Sequence, residues 1–297
     1  MRPEPHAIGE DGAGRLLGRI AVYSALILFA LWYLTPLLIM IATSLKDLEE
    51  IRTYSLLSPP RKVSFDAWKT AWNEACIGVD CRGLAPYFVN SVRLVVPAGA
   101  ISTLLGALNG FALTKVRFPG ANLIFALMLF GCFIPFQVVI LPMAQTLGFL
   151  GLVGPRSTYG LILVHIVYGL AFTTLFFRNF YVTVPDELVK AATIDGAGFF
   201  TIFRRIMLPL SPPILVVTVI WQFTQIWNDF LFGATFTSGP QQPLTVALNN
   251  LVNTSTGVKM YNVDMAGAII AALPTLLVYA VAGRYFVRGL TAGAVKG

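Results

Sequence analysis

The sequence predicts an all-α integral membrane protein, with six transmembrane helices and a pair of short helices in a cytoplasmic loop. Three observations carry that prediction. Of 297 residues, 56% are hydrophobic and only 12% are charged, about half the roughly 25% charge of a soluble domain. The charges are spaced so as to leave six long apolar windows. Between the fourth and fifth windows, a charged stretch broken by glycine keeps helical periodicity.

The windows run from Arg19 to Lys46, Arg93 to Lys115, Arg117 to Arg156, Arg156 to Arg178, Arg205 to Asp229 and Asp264 to Arg284. Each has room for the roughly 20 residues that a bilayer-spanning helix needs. The third exceeds one span, so an extra short turn or loop is expected there, broken at Pro135 and Pro142. The first is too long for a signal-peptide core and lacks a small-residue cleavage site, so it is read as retained.

Basic residues set the orientation. With the N-terminus inside, Arg2, Arg15, Arg19, Lys115, Arg117, Lys190, Arg204, Arg205, Arg288 and Lys296 fall on the cytoplasmic side, against Arg156 and Lys259 in the short outer loops. The first outer loop, about residues 46–86, is mixed, with six basic residues against six acids. Both termini are therefore expected in the cytoplasm of an inner-membrane, multi-pass chain. The net charge of +7 is spent on orientation. No basic run is interleaved with aromatics, so nucleic acid is not an expected partner.

Little in the chain points to chemistry. There is no phosphate-binding G-x-x-x-x-G-K-[ST] loop, and no serine, cysteine or carboxylate pair in a catalytic arrangement. An enzyme is not expected. Of two histidines, His6 lies in the charged leader and His165 inside the fourth window, where a neutral, hydrogen-bonded interhelical role is the first reading and lining a pathway the second. Cys132 reads as an apolar filler. Cys76 and Cys81, in "CIGVDC", are either bridged or two free thiols in an oxidising outer compartment. No histidine cluster accompanies them, so no metal is expected.

The stretch from Pro185 to Pro213, "PDELVKAATIDGAGFFTIFRRIMLPLSPP", holds the short helices. Pro185 suits a first helical turn, and Asp186 and Glu187 place negative charge at the positive end of the dipole. The helix runs to about Asp195 and stops at Gly196, which suits a left-handed cap. In the second helix Phe199, Ile202, Phe203 and Ile206 form one apolar stripe at i, i+3, i+4 and i+7. Leu208-Pro209 ends it, and Pro212-Pro213 opens the next span. Physics alone leaves two readings: helices lying on the membrane, apolar side down, or a knob that a cytoplasmic partner grips.

Glu187, Ala191, Ala192, Asp195 and Gly196, followed by Ile206, Leu208 and Pro209, resemble the E-x-x-x-A-A-x-x-x-G…I-x-L-P loop of ABC-importer permeases. In that family the loop forms coupling helices seated in a cleft of the ATPase subunit. "GALNGFALTKVRFPG" (106–120) and "QFTQIWNDFLFGATF" (222–236) resemble the carbohydrate branch, on the side of the smaller maltose permease subunit. The tail "RGLTAGAVKG" resembles a C-terminus that reaches the ATPase dimer. "LFGCFIPFQVV", "GLAFTTLFFRNFYV" and "TVALNNLVNTSTG" resemble a glucose/mannose-type group.

The resemblance implies a division into a cytoplasmic leader (1–19), a transmembrane domain (20–290) with its coupling loop at about 183–211, and a cytoplasmic tail (291–297). It implies a second permease, an ATPase dimer and an extracytoplasmic sugar-binding protein as partners, besides the lipid bilayer. ATP and Mg would be bound by the partner ATPase, and no cofactor by this chain. The outer segment Thr237–Asp264, rich in Asn249, Asn250 and Asn253, reads as a polar loop that in the family contacts the binding protein.

In the fifth window Gln222, Gln225 and Asp229 recur at i, i+3 and i+7, sharing one helix face with Trp221 and Asn228 beside them. Ile220, Phe223, Trp227 and Phe230 lie opposite. Amides and a carboxylate can hydrogen-bond sugar hydroxyls, and an indole offers a flat apolar face. These five residues are the candidate substrate pathway; the alternative is that Asp229 merely caps or pairs locally. An ion-coupled secondary transporter is the competing function, but it would call for internal repeats and ion-binding carboxylates in broken helices. A scaffold without transport would leave the polar face unexplained.

Overall fold

In the computed structural model, residues 12–55, 57–116, 118–253 and 258–294 are described; side-chain placement is not described for residues 12, 13, 15 and 284–294. The described residues form no β-strand, only an isolated bridge between Ile77 and Asp80. The helices are α1 (Gly12–Ser44), α2 (Leu48–Thr53), α3 (Asp66–Asn73), α4 (Ala85–Lys115), α5 (Ala121–Phe133), α6 (Phe136–Phe149) and α7 (Ser157–Thr183). They continue with α8 (Asp186–Ile194), α9 (Phe199–Ile202), α10 (Leu208–Leu210), α11 (Pro212–Trp227), α12 (Leu231–Phe236), α13 (Leu244–Asn253) and α14 (Tyr261–Ala294).

Among the described residues four helices are long and apolar enough to cross a membrane unaided: α1, α4, α7 and α14. Two bent pairs raise the number to six if each is one span. The third window is split into α5 and α6, which meet at 101°. The break falls at Ile134-Pro135, as a proline that cannot donate to the helical ladder dictates. Pro142, expected as a second break, lies inside α6 instead. The fifth window is bent by 83° at Ser211, between the helical run ending at Leu210 and α11. At 16 residues, α11 is about 24 Å long, short of a bilayer's hydrocarbon core.

The centre of the bundle is the parallel pair α4 and α7. A Cβ on Gly106 would stand 2.2 Å from Thr173 Oγ1, and one on Gly110 would stand 2.7 Å from the Phe177 Cβ. Only glycine permits that approach, and the two are spaced as G-x-x-x-G, the pattern that lets membrane helices close on each other. Across this seam Thr173 Oγ1 donates to Ser102 O at 3.0 Å. Trp227 stacks on Phe223 and donates to Ala271 O at 2.9 Å, binding α11 to α14. Opposite its polar face, Ile220 and Trp227 are buried, while Phe230 is exposed. Helix α1 leans on α14, and none of its most apolar window is buried within the chain.

Several expectations change. Pro185 is the N-cap of α8 rather than part of its first turn. The second short helix is α-helical only to Ile202; Phe203–Met207 is a π-helical turn in which Leu208 N–H donates to Phe203 O, five residues back. Pro209, with no N–H for the carbonyl four residues back, explains the widened ladder. The helix nonetheless persists to Leu210, past Leu208-Pro209. The segment 237–264 is not wholly loop. Leu244, Ala247, Leu248 and Leu251 recur at helical spacing and pack α13 onto the core, and residues 254–257 lie outside the described residues. Cys76 and Cys81 are joined, closing a short hairpin before α4. The leader's first eleven residues and the tail from Val295 lie outside the described residues, and α14 continues past 290.

Candidate functional site

Two regions hold the polar residues singled out above. The first is the loop between α7 and α11. Helix α8 begins with Asp186 and Glu187, favourable at a helix N-terminus. It ends at Gly196, whose φ of +80° is the left-handed conformation expected of its cap. Glu187, Ala191 and Asp195 are spaced by four, so they share one face, and all three are exposed. Ala192 is turned the other way, half-buried against the bundle. Beside Gly196 the apolar side chains of Ile194 and Phe200 are 86% and 71% exposed, a free apolar tip.

The loop is tied down on its inner side. The apolar stripe packs on the ends of α4 and α7: Phe111 meets Phe199 at 4.9 Å and Phe203 at 5.9 Å, Ile202 and Met207 are buried, and Ile206 joins them. Of that stripe Ile202 is fully buried, and Phe199, Phe203 and Ile206 are partly covered by the chain itself. Leu208 is half-buried and Pro209 exposed at the turn into α11. At the end of α4, the Lys115 side chain is 4% exposed. Its ammonium donates to Val184 O and to Asp186 Oδ1, both at 2.6 Å. One cation thus holds the last turn of α4 against the first turn of α8.

The second region is a cavity of about 420 Å³ between α6, α7 and α11. Trp221, Gln222, Gln225 and Asp229 line it together, as one helix face should. Asn228 does not; its side chain folds back to donate to Thr224 O at 3.0 Å. Asp229 follows the last turn of α11 and accepts from the backbone N–H groups of Phe232 at 3.3 Å and Gly233 at 3.0 Å. It therefore caps α12, as the local reading had it, and also faces the cavity.

The opposite wall comes from α7, whose polar members are His165 and Tyr168. A lone histidine in an apolar window leaves both an interhelical and a pathway-lining reading open, and His165 takes its place on the cavity wall. His165 is 6% exposed, and its Nε2 lies 3.5 Å from Asp229 Oδ2, beyond a good hydrogen bond. That nitrogen has no hydrogen-bond partner among the described residues. Gln222, 1% exposed, donates through Nε2 to His165 O at 3.3 Å, and its Oε1 has no partner either. A Cβ on Gly169 would lie 2.0 Å from Gln222 Nε2, so glycine there makes room for the amide. Each orphaned buried polar atom costs on the order of 1–3 kcal/mol. Aromatic rings complete the wall: Trp221 and Phe172 lie 4.9 Å apart, tilted by 41°. Among the described residues no group of three or more His, Cys, Asp or Glu could hold a metal ion.

Comparison with known proteins agrees with the architecture. Residues 96–289 match the family described as binding-protein-dependent transport system inner membrane component. A probable ABC transporter permease protein of Pyrococcus horikoshii is 42% identical over 284 residues, 94% of this chain and 98% of that one. The xylose/arabinose import permease protein of Haloferax volcanii is 32% identical over 293 residues, 92% of each chain. The fold resembles that of a bacterial ABC transporter involved in the import of the acidic polysaccharide alginate. There the TM-score is 0.79 at 20% identity, over 95% of this chain and all of the other. With its bent helices, its loop fixed between α7 and α11 and these relatives, the chain belongs to the family of binding-protein-dependent inner-membrane transport components, ABC-transporter permease subunits that are not enzymes.

Proposed function

We propose that the chain is one of two permease subunits of an ATP-driven importer for a glucose/mannose-type monosaccharide. The observation that carries the ATP-driven part is the loop: an exposed Glu187–Ala191–Asp195 face and a left-handed Gly196, held to the bundle by Lys115 and the aromatic stripe. A knob exposed outward and clamped inward can transmit force. In this reading it sits in a cytoplasmic ATPase, which binds ATP and Mg, while both chain termini lie on the same side. Closure of the ATPase dimer pushes α8, and the Lys115 contact carries the push into α4 and α7. The pathway then switches from inward- to outward-facing, and a binding protein delivers sugar. The tail from Thr291 would reach the ATPase dimer, and the segment 237–264 the binding protein.

The import of a pentose by the Haloferax relative, as its name states, supports a monosaccharide cargo, and the cavity walls offer hydroxyl partners beside an indole. The test reconstitutes the complex with its binding protein and follows uptake of labelled monosaccharides. ATP-dependent uptake of a hexose is expected, and uptake that follows an ion gradient without ATP would refute the reading. Reporter fusions at Gly154 and Gly196 should read outside and inside respectively.

A further inference from the structure

We infer that His165, Gln222 and Asp229 form a subsite for the hydroxyls of a neutral sugar, and that the Asp229 carboxylate makes this subsite reject acidic sugars. The inference rests on the transport reading above and adds to it a residue, His165, and a rule of selection. Two buried polar atoms face one cavity without hydrogen-bond partners among the described residues: His165 Nε2 and Gln222 Oε1. They come from different helices, α7 and α11, which converge where Gly169 leaves space for the Gln222 amide. Buried polar atoms are ordinarily paired. Two unpaired ones on the same cavity are what a site awaiting a polar ligand presents.

The chemistry of the wall selects the ligand. Gln222 Oε1 can only accept, and Asp229 Oδ2, 3.5 Å from His165 Nε2, accepts as well. His165 Nε2 donates or accepts according to its proton. The Gln225 amide, exposed towards the cavity, and the hydroxyl of the lining Tyr168 can do both. No Lys or Arg is among the lining residues. An acceptor-rich wall of negative charge suits hydroxyl donors and repels a carboxylate or phosphate, because like charges set together in a low-dielectric site are strongly disfavoured. The tilted Trp221 and Phe172 rings supply an apolar face for the C–H side of a pyranose. The volume of about 420 Å³ lies within the roughly 300–1,000 Å³ of small-molecule sites.

The test uses the complete complex in lipid nanodiscs, without binding protein, so that selection by that partner does not enter. Equilibrium dialysis with labelled glucose and labelled glucuronate measures binding directly. The unaltered complex should bind glucose saturably and prefer it to glucuronate by about tenfold or more. Asp229→Asn, which can still accept from the α12 backbone, should narrow that preference, and His165→Ala should weaken glucose binding by about tenfold. Should Asp229→Asn fail to assemble, Gln225→Lys at the exposed position places a cation in the cavity and should likewise narrow the preference. An unchanged preference in the assembled charge variants overturns the inference, as does the absence of saturable glucose binding. If glucose is nevertheless taken up in the presence of the binding protein, the transport reading survives and only the subsite falls. If uptake is also absent, the reading itself falls.

Discussion

The loop around Gly196 and the cavity beside α11 both place polar residues in an apolar chain, with opposite arrangements. The loop turns its polar face outward and buries its apolar stripe against Phe111. The cavity turns polar atoms inward, and two of them, on His165 and Gln222, go without hydrogen-bond partners among the described residues. Their glycines differ in the same sense. Gly196 adopts φ +80° with open space around it, whereas Gly169 is crowded by the Gln222 amide. The difference separates the functions: an outward polar surface suits a protein partner, and inward orphan groups suit a small solute.

Crowding makes the cavity glycine the more fragile. Gly169→Val should drive a branched side chain into Gln222 and α11, destabilising the bundle by about 1–3 kcal/mol or more. Sugar uptake should fall further than the amount of ATPase bound per permease. Equal losses of both would blur the distinction between the regions. Quantitative blotting of membranes alongside uptake assays decides this.

The Lys115 clamp predicts a failure of the other kind. Lys115→Met removes charge-assisted bonds to Val184 O and Asp186 Oδ1, worth roughly 1.5–3 kcal/mol each when buried and less at the half-exposed Asp186. The ATPase should still bind, but its hydrolysis should no longer respond fully to the loaded binding protein. Asp186→Asn keeps an acceptor at that place and should do less. Stimulation at the unaltered level in Lys115→Met would mean that α8 transmits by another route.

Smallest is Gly196→Ala. A left-handed alanine costs about 1 kcal/mol, and no atom of the described residues would touch its Cβ. Membrane abundance should be unchanged, with at most a modest fall in ATPase recovery. A large loss of the permease itself would show that this glycine serves folding.

How much of this was legible depended on whether the signal was local. Most of the loop was, because Gly196 and the stripe from Phe199 to Ile206 each act within a turn or two, whereas Pro185 caps α8 instead of opening it. The α5–α6 break was announced by Pro135, but Pro142 fits within α6 and gives no break. The row Gln222, Gln225 and Asp229 was legible from its periodicity. Its meaning was not, because His165 reaches the cavity from a helix 57 residues away in sequence, and no periodicity links two helices. The closeness of α4 and α7 could have been read from Gly106 and Gly110, whose spacing matches a known packing pattern. The π-helical turn before Leu208 follows from Pro209 only once the helix is seen to continue beyond it.

The central claim is that the loop, and not the cavity, grips the ATPase. The direct measurement is ATPase recovered per permease in pull-downs from detergent-solubilised membranes, for the unaltered chain, Gly196→Val and Asp229→Asn. The account predicts firm recovery for the unaltered chain and for Asp229→Asn, and a clear loss for Gly196→Val at normal permease abundance. Recovery from Gly196→Val equal to that of the unaltered chain, or no ATPase recovered with any of the three, would contradict it.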